Sequence, residues 1–206
     1  MPTSAHPHLF EPGDNAAAPP LLLLHGTGGT EHDLLRFGRA LSPGSALLSP
    51  RGNVSEGGAA RFFARLGEGV FDPAEVTRRT QILADFIAGA AKRYRFPAER
   101  LIAIGFSNGA NIAASLLLLR PESLHGAVLF RPMVVIDRSA QPGSLAGKRV
   151  LISSGNVDPL VPPDHPERLA ALLRAGGAEV TVQVHPASHA LVPADVSSAE
   201  EWFRRS

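Results

Sequence analysis

Short apolar runs alternate along the chain with longer stretches in which apolar positions recur every three or four residues. The short runs are PLLLLH (20–25), SALLS (45–49), RLIAIGF (100–106), GAVLF (126–130), RVLISS (149–154) and EVTVQVH (179–185), and each predicts a strand. Between them the pattern predicts helices near 31–42, 73–94, 108–119, 164–175 and 197–205. In the second of these, Val76, Thr80, Leu83, Ile87, Ala90 and Tyr94 fall on one stripe. Asp72 followed by Pro73 is a start signal, a capping carboxylate before a proline at the first helical position. Nearly unbroken apolar strands separated by helices predict an α/β fold, a mostly parallel sheet with helices on both faces. Ligands of such sheets bind beyond the carboxyl ends of the strands, so the loops after strands are where chemistry is sought. Residues 50–72, PRGNVSEGGAARFFARLGEGVFD, break the rhythm. A connection of that length is uncommon and usually functional or disordered, and its Phe62–Phe63 pair predicts that it packs down.

Composition narrows the classes. The chain has 206 residues, 44% apolar and 19% charged, which suits one globular domain spanning 1–206. The net charge is +1 and the arginines are dispersed, so a nucleic-acid partner is not expected. The absence of cysteine removes disulfides, thiolate metal sites and a cysteine nucleophile. The opening MPTSAHPHLFEPGD has neither a basic n-region nor an apolar h-region, and no apolar run reaches the roughly 20 residues needed to cross a bilayer. A cytoplasmic protein without a membrane partner is the expectation.

The chemistry concentrates in LIAIGFSNGANIAASLLLL (101–119). Gly105-Phe106-Ser107-Asn108-Gly109 fits G-x-S-x-G between a strand and a helix, the nucleophile elbow. A serine at the tip of so sharp a turn needs small neighbours, which Gly105 and Gly109 supply. It also lies at the positive end of the following helix dipole. The competing reading is a tight turn whose serine merely caps the helix. An active serine requires a base and an orienting acid, in the chain order Ser, Asp or Glu, His. Asp158, in GNVDPLVP, follows one strand, and His189, in HPASHALVP, follows the last. Among the rivals, Asp137 has an uncertain preceding strand, Asp164 is expected to cap a helix, and His185 at a strand end before Pro186 suits a structural role.

The loop in PPLLLLHGTGGT (19–30) faces either a phosphate or a reacting carbonyl. The dinucleotide pattern fails, because Glu31 stands where the third glycine belongs, and no Walker lysine is present. In folds that carry a nucleophile elbow, a glycine-rich loop after an early strand supplies part of the oxyanion hole. By position the donors here would be the backbone amides of Thr27 and Asn108. Phe62 and Phe63 are expected as apolar substrate contacts, Arg51 and Arg61 as partners for an anionic substrate group, and Met133 as a wall of the acyl pocket.

The segments LLLLHGTGGTEHDLL (21–35), LSPRGN (48–53), GFSNGANIA (105–113), GNVDPLVP (155–162) and SHAL (188–191) resemble small, lid-less α/β-hydrolases of the carboxylesterase/phospholipase type, related to dienelactone hydrolases. The resemblance implies the α/β-hydrolase fold without a cap domain and hydrolysis of a small-molecule ester with no cofactor or metal. It also implies Ser107, Asp158 and His189 as the triad. Dienelactone hydrolases proper carry a cysteine nucleophile where this chain has Ser107. The expected function is a serine carboxylesterase acting on short- to medium-chain esters through an acyl-serine. The alternatives are a non-catalytic binding module, and a thioesterase or amidase using the same triad. A homodimer fits a compact enzyme of this size, although no residue selects an interface.

Overall fold

The computed structural model describes residues 6–205, so the first five residues of the opening stretch read for a signal lie outside the described residues. The strands are β1 (His8–Glu11), β2 (Leu21–Leu24), β3 (Leu47–Pro50), β4 (Val54–Glu56), β5 (Ala59–Arg61), β6 (Ile102–Phe106), β7 (Gly126–Phe130), β8 (Arg149–Gly155) and β9 (Glu179–His185). The helices are α1 (Leu35–Leu41), α2 (Pro73–Tyr94), α3 (Asn108–Leu119), α4 (His165–Arg174) and α5 (Pro193–Arg204). Among the described residues seven strands form one sheet in the order β1-β3-β2-β6-β7-β8-β9. Every neighbouring pair is parallel except β1 against β3. This is the mostly parallel, helix-covered sheet expected from the apolar runs.

Alternation along each strand sends side chains to two cores. Leu22, Leu24, Ala103 and Leu129 pack with α2, α3 and α4 on one face, and Leu21, Leu23, Ile104 and Val128 pack with α1 and α5 on the other. Residues 108–118 of α3 are buried on every side, which is why that helix is apolar all round instead of striped. The stripe of α2 is buried from Val76 to Ala90, and the Asp72 carboxylate accepts the Ala74 amide at 2.9 Å as its cap.

Three departures from the sequence pattern have local causes. The half-buried edge strand β1 is too short, and too mixed in polarity (HLFE), to stand out as an apolar run. The segment 50–72 contains the hairpin β4–β5, closed by Gly57 and Gly58 with φ of 57° and 88°, the positive values that a two-residue primed turn requires. The last helix begins at Pro193, because the Asp195 carboxylate in its first turn accepts the Val192 amide at 2.8 Å. Asp164 holds the N-cap position of α4, yet its side chain makes no capping bond. Among the described residues no helix is long and apolar enough to cross a membrane.

Candidate active site

The turn between β6 and α3 places Ser107 at φ 51° and ψ −114°, a region that a residue with a Cβ enters only with strain. Its two glycine neighbours are sterically required. A Cβ on Gly109 would sit 2.0 Å from the Leu24 carbonyl oxygen, and one on Gly105 would sit 2.6 Å from the Gly109 carbonyl oxygen. The elbow therefore packs against the end of β2, which carries the glycine-rich loop. Sheet order brings the loops after β6, β8 and β9 to one edge, and the side chains meet there. Ser107 Oγ lies 2.9 Å from His189 Nε2, and His189 Nδ1 lies 2.8 Å from Asp158 Oδ2. The other oxygen of Asp158 accepts the Leu160 and Val161 amides at 2.8 and 3.3 Å, which aims the carboxylate. With Nδ1–H donated to Asp158, Nε2 is left to accept from the serine hydroxyl. The Asp158 side chain is fully buried and His189 keeps part of its side chain open to solvent.

Thr27 and Asn108 line the same cavity as Ser107 and His189. Among the described residues neither backbone amide is bonded to an acceptor. The loop is shaped by its own bonds, Gly29 N–H to Gly26 O at 3.1 Å and Gly28 N–H to Ala60 O at 2.9 Å. His25 ties it to the next segment: its Nδ1 donates to Gly26 O at 2.6 Å and its Nε2 accepts the Gly52 amide at 3.0 Å. Burial holds this imidazole below its ordinary value, which suits the neutral tautomer that those two bonds need.

Several expected substrate contacts stand elsewhere. Arg51 lies outside the cavity, its guanidinium paired with both oxygens of Glu31 at 2.5 and 2.8 Å. Phe62 and Phe63 are core residues with 1% and 0% exposure, drawn in by apolar burial, so they back the wall without facing the cavity. Arg61 does reach the cavity, but its guanidinium is engaged by Thr27 Oγ1 at 2.5 Å, the Phe63 carbonyl at 3.1 Å and Glu56 at 3.4 Å. That arrangement braces the glycine-rich loop. Met133 lines the cavity. Lining residues not foreseen include Arg65, Glu68, Phe71, Phe106, Asn111 and Leu160. Arg65, Glu68 and Phe71 stand in an irregular loop that carries no periodic signal, although the length of the 50–72 segment pointed to that wall.

The cavity measures about 280 Å³. A larger one, about 630 Å³, lies at the opposite end of the sheet against Pro19, Ile102 and His125, and holds none of the three residues of the relay. Carboxyl ends of strands are where such sheets bind ligands, so the smaller cavity is the one to weigh.

Residues 55–201 match the model of the dienelactone hydrolase family. The chain belongs to that family. It is 46% identical over 201 residues to the protein MhqD of Bacillus subtilis (strain 168), covering 97% of this chain and 98% of that one. Among solved structures, the carboxylesterase of Bacillus cereus is 44% identical with a TM-score of 0.94, over 98% of this chain and 95% of its own. A carboxylesterase from Mesorhizobium loti is 30% identical with a TM-score of 0.88, over 100% and 98%. The fold is that of the α/β-hydrolases, and within the dienelactone hydrolase family this member carries serine at its elbow.

Proposed function

We propose that this dienelactone hydrolase family member is a serine carboxylesterase acting on short- to medium-chain carboxylic esters. The observation that carries the reading is the unbroken relay from Ser107 Oγ through His189 to Asp158 at 2.9 and 2.8 Å. The carboxylesterases among its solved relatives support it at the level of reaction class. In this mechanism Ser107 Oγ attacks the ester carbonyl carbon as His189 Nε2 takes the hydroxyl proton. Asp158 holds the imidazole in the required tautomer and stabilises its charged form. The oxyanion is held by the Thr27 and Asn108 amides. Collapse of the tetrahedral adduct breaks the bond to the alkoxy oxygen, which leaves with the proton from His189. Water, deprotonated by the same nitrogen, then cleaves the acyl-serine to a carboxylic acid and free Ser107.

A cavity of about 280 Å³ falls just below the roughly 300–1,000 Å³ range of ligand pockets, which favours compact acyl groups. The test combines an active-site fluorophosphonate with a substrate panel. Labelling at Ser107, and turnover of acetyl to hexanoyl esters that drops by about 10⁴-fold or more in Ser107→Ala, is the expected result. Unlabelled Ser107 leaves a non-catalytic binding module in its place. Faster turnover of thioesters or amides than of matched oxygen esters would reassign the substrate class.

A further inference from the structure

Arg131 follows directly on β7, and its side chain is fully buried at a backbone φ of 54°. A buried guanidinium needs partners for five N–H groups, and this one has them all. Nη1 and Nη2 each donate to one oxygen of Asp195 at 2.7 Å, a bidentate pair. Nη1 also reaches the Ser153 carbonyl at 3.2 Å. The remaining two bonds go to the carbonyls on either side of His189: Nε to Ser188 O at 3.0 Å and Nη2 to Ala190 O at 2.9 Å. Asp195 is itself satisfied by Ser153 Oγ at 2.6 Å and the Val192 amide at 2.8 Å. One ion pair thus joins the ends of β7 and β8, the first turn of α5 and the loop that presents the imidazole.

Stability alone does not account for this arrangement. Two charges taken out of water lose solvation that their attraction barely restores, and well-packed apolar residues at such sites are commonly as stable or more so. What the pair supplies is geometry. The imidazole must stay within hydrogen-bond reach of Ser107 and Asp158 at once, yet its loop belongs to no helix or strand. Gly155 adds to the constraint, since a Cβ there would lie 2.1 Å from the Ala187 carbonyl, so β8 and this loop are in close contact.

We propose that Arg131, held by Asp195, is a positioning residue that fixes His189 for proton transfer by gripping the backbone on both sides of it. This rests on Ser107 and His189 being nucleophile and base. Arg131→Lys keeps a charge but has no planar fork to serve Asp195 and two carbonyls together. Its kcat is expected to fall about 10- to 100-fold, the size of loss that follows a displacement near 1 Å, with KM within about twofold of wild type. The double variant Arg131→Met/Asp195→Leu, which leaves no unpaired buried charge, is expected to stay folded at the assay temperature and to show the same kcat loss. Combined with His189→Ala, the Arg131→Lys loss is expected to be much less than multiplicative, because both act at one step. Wild-type kcat in either Arg131 variant, a loss confined to KM, or multiplicative losses with His189→Ala would overturn the proposal. A wild-type enzyme that resists fluorophosphonate would instead remove the triad reading on which it rests.

Discussion

Ser107 sits in a backbone conformation that costs on the order of 1–3 kcal/mol for a non-glycine residue, and two glycines make the turn possible at all. Gly109 is the stricter of them, because a Cβ there would come within 2.0 Å of a backbone oxygen, against 2.6 Å at Gly105. Gly109→Ala is therefore expected to cost about 3 kcal/mol or more, read as a lowered urea midpoint, since neither partner can rotate away. A substitution tolerated without loss of stability would mean that the elbow is not packed as described. Asp195 makes a second prediction at this scale. Burial pushes its carboxyl up, but hydrogen bonds from Arg131, Ser153 and the Val192 amide, with the Arg131 charge, outweigh burial and hold it below its ordinary 3.8. A lowered value means that the folded state favours the carboxylate. Its stabilisation is complete above 3.8 and is lost as pH falls through the lower folded value. Denaturant midpoints followed into acid should drop in that window, and Asp195→Asn should flatten the drop even though it lowers stability at neutral pH.

The hairpin β4–β5 works as an element, not as a set of contacts. Its turn needs the positive φ of Gly57 and Gly58, and its second strand holds the glycine-rich loop through the Ala60 carbonyl and Arg61. Gly58→Val forces a branched side chain into φ 88°, at a cost of about 1–2 kcal/mol. If the hairpin supports the loop, kcat for a soluble ester falls together with the stability. Unchanged kcat in a destabilised Gly58→Val protein would confine the hairpin to a structural role. In contrast, α3 is held on all sides by the sheet and its neighbouring helices, so its amino end is a firm base for the Asn108 amide.

At the scale of the molecule, the parallel sheet has two ends and a cavity at each. Crossover connections bring the loops after β2, β6, β8 and β9 to the carboxyl end, where backbone amides and side chains from distant parts of the chain converge. The other end holds the larger space, with Glu200 and Arg204 among its walls. Two substitutions separate them. Met133→Ala is expected to shift preference toward longer acyl chains, measured as the ratio of kcat/KM for octanoyl over butanoyl ester. Arg204→Ala is expected to leave that ratio and the turnover unchanged. The reverse outcome would move substrate binding to the opposite end.

Local rules made much of this legible in the chain itself. Apolar runs and helical stripes report burial within one element, which suffices for six strands of the sheet, five helices and their α/β arrangement. The elbow is legible because its glycines answer a steric demand between near neighbours, and Asp158 and His189 because each follows a strand that such a sheet must present. Tertiary structure alone decided the pairings across sequence. Glu31 claims Arg51 from 20 residues away, and Asp195 claims Arg131 from 64. Phe62 and Phe63 turn inward because a core lies beneath them, and β1 joins the sheet through ladder bonds to β3 that a half-buried four-residue run cannot announce. Charge pairing and packing depend on distance through space, and chain order records that distance only after the fold has closed it.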